Sequence, residues 1–337
     1  MVKSFGTLPN GAEASVYTIS SGALEARITD FGATLVSLMV PDRDGNLADV
    51  VLGFDQAADY AASDAYFGAT VGRGANRIRG GRFPLNGREI RLAQNDGENN
   101  LHSGPDGFHL RLWKLLRIDE SSVTFRLDSP NADQGYPGNV KLEVSYRLEK
   151  GNQLVIAYRG VSDQDTVLNL TNHSYFNLAG HEKPEKAMEQ TLMLPARCFT
   201  VADSASIPTG EMRSVAGTPM DFRQATALGA RIGEDYECLK LQKGYDHNYE
   251  VFCAPCAVLT DPESGRTMSV FTDCPGIQVY TANYTDTVGK NGAKYPPRCG
   301  VALETQFYPD SVNHPEWAQP FVKAGQVYHS VTRYCFK

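Results

Sequence analysis

Apolar and polar residues alternate in short bursts along this chain, and recognisable turn chemistry separates the bursts. Asp44-Gly45 divides the run from Ala33 to Val40 from the run Ala48 to Phe54, and Asn86-Gly87 divides Arg82 to Leu85 from Glu89 to Leu92. Asp-Gly and Asn-Gly supply the left-handed residues of a tight turn, so both places read as hairpins. Ser122 to Leu127, Val140 to Leu148 and Gln153 to Val161 continue the pattern, and Asp261 to Gly265 parts two further short runs. Helical periodicity is weak: Gln56 to Ala62 and Phe222 to Ile232 are the best short candidates, and no βαβ rhythm occurs. The pattern predicts an all-β chain, a large antiparallel β-sandwich, formed as one domain over residues 1–337. Pro184 to Ala187 and Pro208 to Thr218 read as surface loops of that domain.

Three of the strand-like runs carry unusual polar faces. In Val167 to Leu178, a period of two places Leu168, Leu170, Phe176 and Leu178 on one side and Asn169, Thr171, His173, Tyr175 and Asn177 on the other. The plain reading is a solvated face with one satisfied histidine. The crowd of hydrogen-bonding groups around His173 favours a binding face instead. In Gly300 to Ser311, Glu304 is a carboxylate within an apolar strand, where an unpaired charge is costly. Pairing with an Arg or Lys and a catalytic role explain it equally well. In Pro275 to Tyr284, Gln278, Tyr280 and Tyr284 stand opposite Ile277 and Val279. As neighbours in one curved sheet, the three runs would form a groove with hydrogen bonds for hydroxyls and flat rings for a pyranose.

Composition narrows the partners. Of 337 residues, 42% are hydrophobic and 21% charged, which is enough to build a core and sets disorder aside. The formal charge of -7 and the lack of a basic run argue against nucleic acid. Seven scattered cysteines resemble free thiols of a reducing compartment. The first residues lack the apolar core of a signal peptide and no window suits a spanning helix, so a cytoplasmic protein without membrane contact is expected. The glycosylation triplets at Asn169, Asn172 and Asn283 would then stay unused.

Other motifs carry less. Gly72 to Phe83 contains Gly-x-Gly, but Arg77 occupies the third fingerprint position, and the segment reads better as a turn that projects Asn76 and Arg77 toward a ligand. His102, in NNLHSG, and Asp246 and His247, in GYDHNY, lie in loop-like sequence without HxH or HExxH spacing, so no metal site is expected. Cys253 and Cys256 have redox spacing yet lead into a strand-like run, and are read as structural.

Taken in order, GRGANRIRGGRF, NNLHSG, LTNHSYFNLAG, DHNY, PGIQVYT and ALETQFYPDSVNHPEW resemble the signature blocks of the aldose 1-epimerases, with further similarity at Phe31 to Leu35 and at ADVVLGF. The blocks span positions 72 to 317 and show no departure from the family pattern. The resemblance implies a β-supersandwich with its site in a groove. It implies a cofactor-free isomerase in which His173 is the general acid and Glu304 the general base. Asn76, Arg77, His102, Asp246 and Gln278 would hold a free monosaccharide such as galactose or glucose, in a monomer or homodimer. Three readings compete: a hexose-6-phosphate mutarotase, which needs extra basic groups; a non-catalytic sugar-binding protein; and a glycoside hydrolase or lyase using Glu304 and Asp246 as paired carboxylates.

Overall fold

The computed structural model describes residues 1–337 and is built from antiparallel strands, with 45% of residues in strands and 10% in helices. The first sheet is a meander in chain order, Val2–Thr7, Glu13–Ser21, Leu24–Thr29, Thr34–Pro41 and Leu47–Asp49. A nine-stranded sheet takes Lys114–Ile118, Ser122–Ser129, Val140–Glu149 and Gln153–Ser162 as a second meander. It then runs through the C-terminal strand Val327–Phe336 to Thr267–Thr272 and Ala257–Thr260. A six-stranded sheet has the order Tyr175–Phe176, Val301–Gln306, Gly276–Tyr280, Asp246–Glu250, Cys198–Ala202 and Pro208–Ser214. One continuous apolar cluster draws Ile19, Ala26, Val144, Ile156, Val279 and Leu303 from all three sheets. Inward residues alternate with outward ones along strands such as Val140–Glu149 and Val327–Phe336, as in a packed sandwich.

The expected hairpins form. Arg82–Leu85 pairs with Arg88–Arg91 across Asn86 and Gly87, whose φ angles of 52° and 74° are those of a two-residue hairpin turn. Thr34–Pro41 pairs with Leu47–Asp49 across the Asp44-Gly45 turn. The helix expected near Gln56 is present as Ala57–Ala62.

Elsewhere local pattern yields to tertiary pairing. Phe222 to Ile232 is not helical: Thr226–Ala227 pairs with Thr191–Met193 at the edge of the nine-stranded sheet, and Leu228–Ala230 is a single 3₁₀ turn. Pro208 to Thr218 is not all loop, because Pro208–Ser214 forms the outer strand of the six-stranded sheet. Proline tolerates an edge, and a strand whose faces are both partly wet carries no apolar alternation to reveal it. Pro184–Glu189 is a 3₁₀ segment, and a short helix at Glu237–Gln242, closed by a left-handed Lys243, had no predicted counterpart. The run Val167 to Leu178 is not one strand. It breaks into Thr166–Val167, Thr171–Asn172 and Tyr175–Phe176, which pair with three different partners and are buried on both faces.

All seven cysteines are free, with Cys253 and Cys256 leading into the strand Ala257–Thr260 as expected. No helix is long and apolar enough to cross a membrane.

Candidate active site

Two walls meet in a cavity of about 540 Å³. The first is the six-stranded sheet, where pairing sets Glu304 opposite Gln278, Ala302 opposite both Tyr280 and Tyr175, and Tyr280 opposite Asp246. Directly opposed residues share a face, so one register delivers Glu304, Asp246, Tyr280 and Tyr175 to the same side, and sends Leu303, Val301 and Val279 to the core.

The second wall is loop. Arg77–Ile78 pairs with Asn100–Leu101, which sets Asn76 beside His102. Asn76 and His102 both adopt left-handed backbone, with φ of 61° and 51°. The Asn76 N–H donates to His102 Nδ1 at 3.1 Å, and the Asn76 side-chain oxygen accepts the Arg77 N–H at 2.8 Å. The Arg77 guanidinium pairs with Asp96 at 2.7 Å.

His173 bridges the walls. Its N–H donates to Ala69 O at 2.9 Å, and its carbonyl accepts the Gly68 N–H at 3.0 Å. Gly68 is required there: its φ is +66°, and an added Cβ would collide with Leu35 O. Held so, His173 places Nε2 3.5 Å from Glu304 Oε1. No lysine or arginine pairs with Glu304, so the structural explanation that its sequence left open does not apply. Glu304 is 2% exposed and His173 5%, and Glu304 Oε2 and His173 Nδ1 have no hydrogen-bond partner.

The electrostatics follow from burial. Desolvation pushes the Glu304 carboxyl well above the usual range, with repulsion from Asp246 adding to it and Arg77 opposing it. Desolvation pulls His173 down to about 4. Both shifts favour the uncharged form of each group, which places the proton of the resting pair on Glu304 rather than on His173. Asp246 is also raised by burial, with Arg77 and the Gln278 amide opposing.

His102, His173 and Glu304 bring potential ligand atoms within 4.8 Å of one another, which raises the question of a metal. A metal-bound imidazole keeps the proton on its other nitrogen and gives it to a carbonyl or carboxylate. His102 does the reverse, since its Nδ1 accepts the Asn76 N–H. In the neutral ring the proton is then on Nε2, which suits a donor to a hydroxyl better than a metal ligand.

Of the residues expected in the site, Asn76, Arg77, His102, His173, Asp246 and Glu304 line this cavity. Gln278 does not. It stands behind Asp246, to whose Oδ1 its amide donates at 2.6 Å, and lines a small side chamber with Asn248. Of the polar face expected around His173, only Tyr175 joins it in the cavity. Asn169 and Asn177 instead bond to backbone and hold the broken strand together, as does Asn172 from the opposite face of the expected strand. Tyr66 was not anticipated: it lines the cavity from the loop after the first helix, and nothing in the periodicity of that loop marks it.

A family model for aldose 1-epimerase matches residues 15–335. A galactose mutarotase from Bos taurus is 42% identical, the match covering 98% of this chain and 97% of that protein. An aldose 1-epimerase from Haemophilus influenzae is 40% identical with the same coverage. Among solved structures, an aldose epimerase homologue from C. elegans superimposes with a TM-score of 0.89 at 32% identity, covering 96% of this chain and 99% of that one. The chain belongs to the aldose 1-epimerase family, whose members are isomerases of sugars.

Proposed function

We propose that residues 1–337 act as one cytoplasmic domain that interconverts the α and β anomers of a free aldose, galactose or glucose, with Glu304 and His173 as the proton-transfer pair. The observation that carries this is the 3.5 Å approach of the two groups at a buried cavity wall. Opening a hemiacetal requires one group to take the C1 hydroxyl proton and another to give a proton to the ring oxygen. Glu304 serves as the base and His173 as the acid, from the tautomer in which the pair's single proton has crossed the 3.5 Å gap to His173. The ring opens to the aldehyde, C1–C2 rotation presents its other face, and reclosure returns both protons with the roles exchanged. A pair holding a single proton has the stoichiometry this cycle needs, and the balance closes without redox or group transfer.

The remaining groups hold the sugar. His102 Nε2–H and the Asn76 amide offer donors, and Asp246 accepts from hydroxyls in an orientation kept by Gln278. Galactose is favoured because relatives at about 40% identity bear the name galactose mutarotase. A phosphosugar is disfavoured: Arg77, already paired with Asp96, is the sole lysine or arginine in the lining, where Asp59, Asp64 and Asp286 also stand. Free thiols at all seven cysteines support the cytoplasmic assignment, and a monomer or homodimer would suffice because one chain supplies the whole pair.

Polarimetry on freshly dissolved α-galactose, α-glucose and α-glucose 6-phosphate tests the reading. Accelerated equilibration of the two free sugars, with the phosphate at its uncatalysed rate, supports it. Acceleration of the phosphate alone, or of neither free sugar, overturns it. Methyl α-galactoside, whose anomeric hydroxyl is blocked, stays unchanged for an epimerase and is cleaved by a glycosidase.

A further inference from the structure

Tyr66 takes no part in the chemistry just described, yet its placement is costly. Its φ is +57°, a left-handed conformation that a bulky residue adopts only when its surroundings enforce it. The ring enters a nest of imidazoles: its centroid lies 4.7 Å from that of His102, 4.4 Å from His109 and 5.7 Å from His173, and it stacks on His173 at an interplanar angle of 23°. The Ala69 N–H closes a turn on the Tyr66 carbonyl at 3.0 Å, one residue beyond the Gly68 that clamps His173. The same short loop therefore holds the catalytic imidazole by its backbone and covers one of its ring faces.

We infer that Tyr66 is a positioning residue of the epimerase reaction, whose ring fixes the plane of the His173 imidazole and keeps water from the His173–Glu304 pair. The inference rests on the role proposed above for that pair. Ring contact matters here more than the hydroxyl, for which no hydrogen bond is formed.

The groups that face His173 fix what loss of the ring would do. From the sheet come Glu304 at 3.5 Å, Tyr175 with centroids 5.0 Å apart and Tyr280 at 6.4 Å. From the loops come His102 edge-on at 5.4 Å and, beyond Tyr66, the His109 ring, itself held neutral with a value of about 4. Asp246 and Arg77 act on Glu304 with opposite sign, and Asp64 adds to the burial that raises the Tyr66 phenol. None of these replaces the covering ring if Tyr66 is shortened. Water then reaches the pair, and both members move toward their ordinary values, His173 up and Glu304 down.

The test is the pH profile of kcat/KM for mutarotation of α-galactose, which reports the free enzyme. The rate requires one proton on the pair. It falls at low pH when His173 gains a second proton and at high pH when the pair loses its last. For Tyr66→Leu the bell should narrow from both sides, its acid limb rising by about one pH unit or more, with kcat reduced about tenfold and KM changed less, as expected for a misplaced proton donor. Tyr66→Phe should restore the wild-type width. A Leu variant that folds, as judged by circular dichroism, and keeps the wild-type bell would overturn the inference. So would a Phe variant as narrow as Leu, which would place the effect in the hydroxyl. If Tyr66→Leu fails to fold, Tyr66→Met serves in its place with the same two readings. Absence of mutarotation in the wild type would instead overturn the epimerase reading.

Discussion

The two walls of the cavity are held by different means. Asp246, Tyr280 and Glu304 sit on paired strands, where one register places all three and the cross-strand bonds hold them even when a side chain changes. Asn76, His102 and Tyr66 sit on loops with left-handed backbone, each held by a few local bonds and ring contacts. A change of side chain on the sheet wall should therefore remove a chemical group and little else, whereas a backbone change on the loop wall should move several groups together. His173 belongs to both: its carbonyl is clamped by the loop at Gly68 while its ring meets the sheet at Glu304.

The largest effects are expected at the point of contact. Glu304→Gln and His173→Asn should each lower kcat by roughly 10²- to 10⁴-fold, the usual worth of a positioned acid or base. Binding of galactose, followed by calorimetry, should remain measurable. If either variant turned over at the wild-type rate, that residue would lose its role.

Gly68→Ala breaks the loop wall without touching a polar side chain. The new Cβ meets Leu35 O in a left-handed conformation, so a loss of about 2–4 kcal/mol in unfolding free energy is expected, with a fall in kcat from the displaced His173. Denaturant unfolding beside turnover measurements would check both, and a variant as stable and active as the wild type would mean that the clamp is dispensable.

On the sheet wall, Asp246→Asn should raise KM about tenfold and alter the preference between galactose and glucose, with a smaller change in kcat, as for loss of a charged hydrogen-bond acceptor. An unchanged sugar profile would remove Asp246 from binding. The smallest effect is expected for Gln278→Leu, which releases Asp246 Oδ1 while leaving the carboxylate in place. A rise in KM of about threefold fits one neutral hydrogen bond, and it should vanish when Gln278→Leu is added to Asp246→Asn. An equal loss in the Asp246→Asn background would show instead that Gln278 meets the sugar directly.

The same contrast governs what was legible in the sequence. Most of the sheet wall was readable because strand period two depends only on local order: Glu304 and Tyr280 fell on polar faces of apolar runs, where the register puts them. Asp246, read as loop-like, instead heads the strand Asp246–Glu250, whose polar sequence shows no alternation. Gln278 lay on the correct face, yet whether it reaches the cavity depends on Asp246 from a neighbouring strand, which alternation cannot give. The run around His173 misled for the opposite reason. Its regular alternation suggested one strand, while the asparagines on its polar side, Asn169 and Asn177, satisfy backbone groups where the chain breaks. Asn76 and His102 were reached through short motifs, and asparagine is a natural left-handed residue. Tyr66 was not reached at all, because a left-handed tyrosine is imposed by the surrounding fold and leaves no trace in residue type. The edge strand Pro208–Ser214 was missed because both of its faces are partly wet, although its partner Cys198–Ala202 lies just before it. The 3₁₀ turn at Leu228–Ala230 was missed because it follows a pairing with the distant strand Thr191–Met193.

The central claim is that Glu304 and His173 work as one proton-sharing pair, and a double-mutant cycle tests it most directly. Polarimetric rates for α-galactose would be compared among the wild type, Glu304→Gln, His173→Asn and the double variant. A pair acting as a unit predicts that the double variant is about as slow as either single one, since the first substitution already disables the transfer. Losses that multiply would show two independent contributions, and a double variant equilibrating the sugar at the wild-type rate would contradict the assignment altogether.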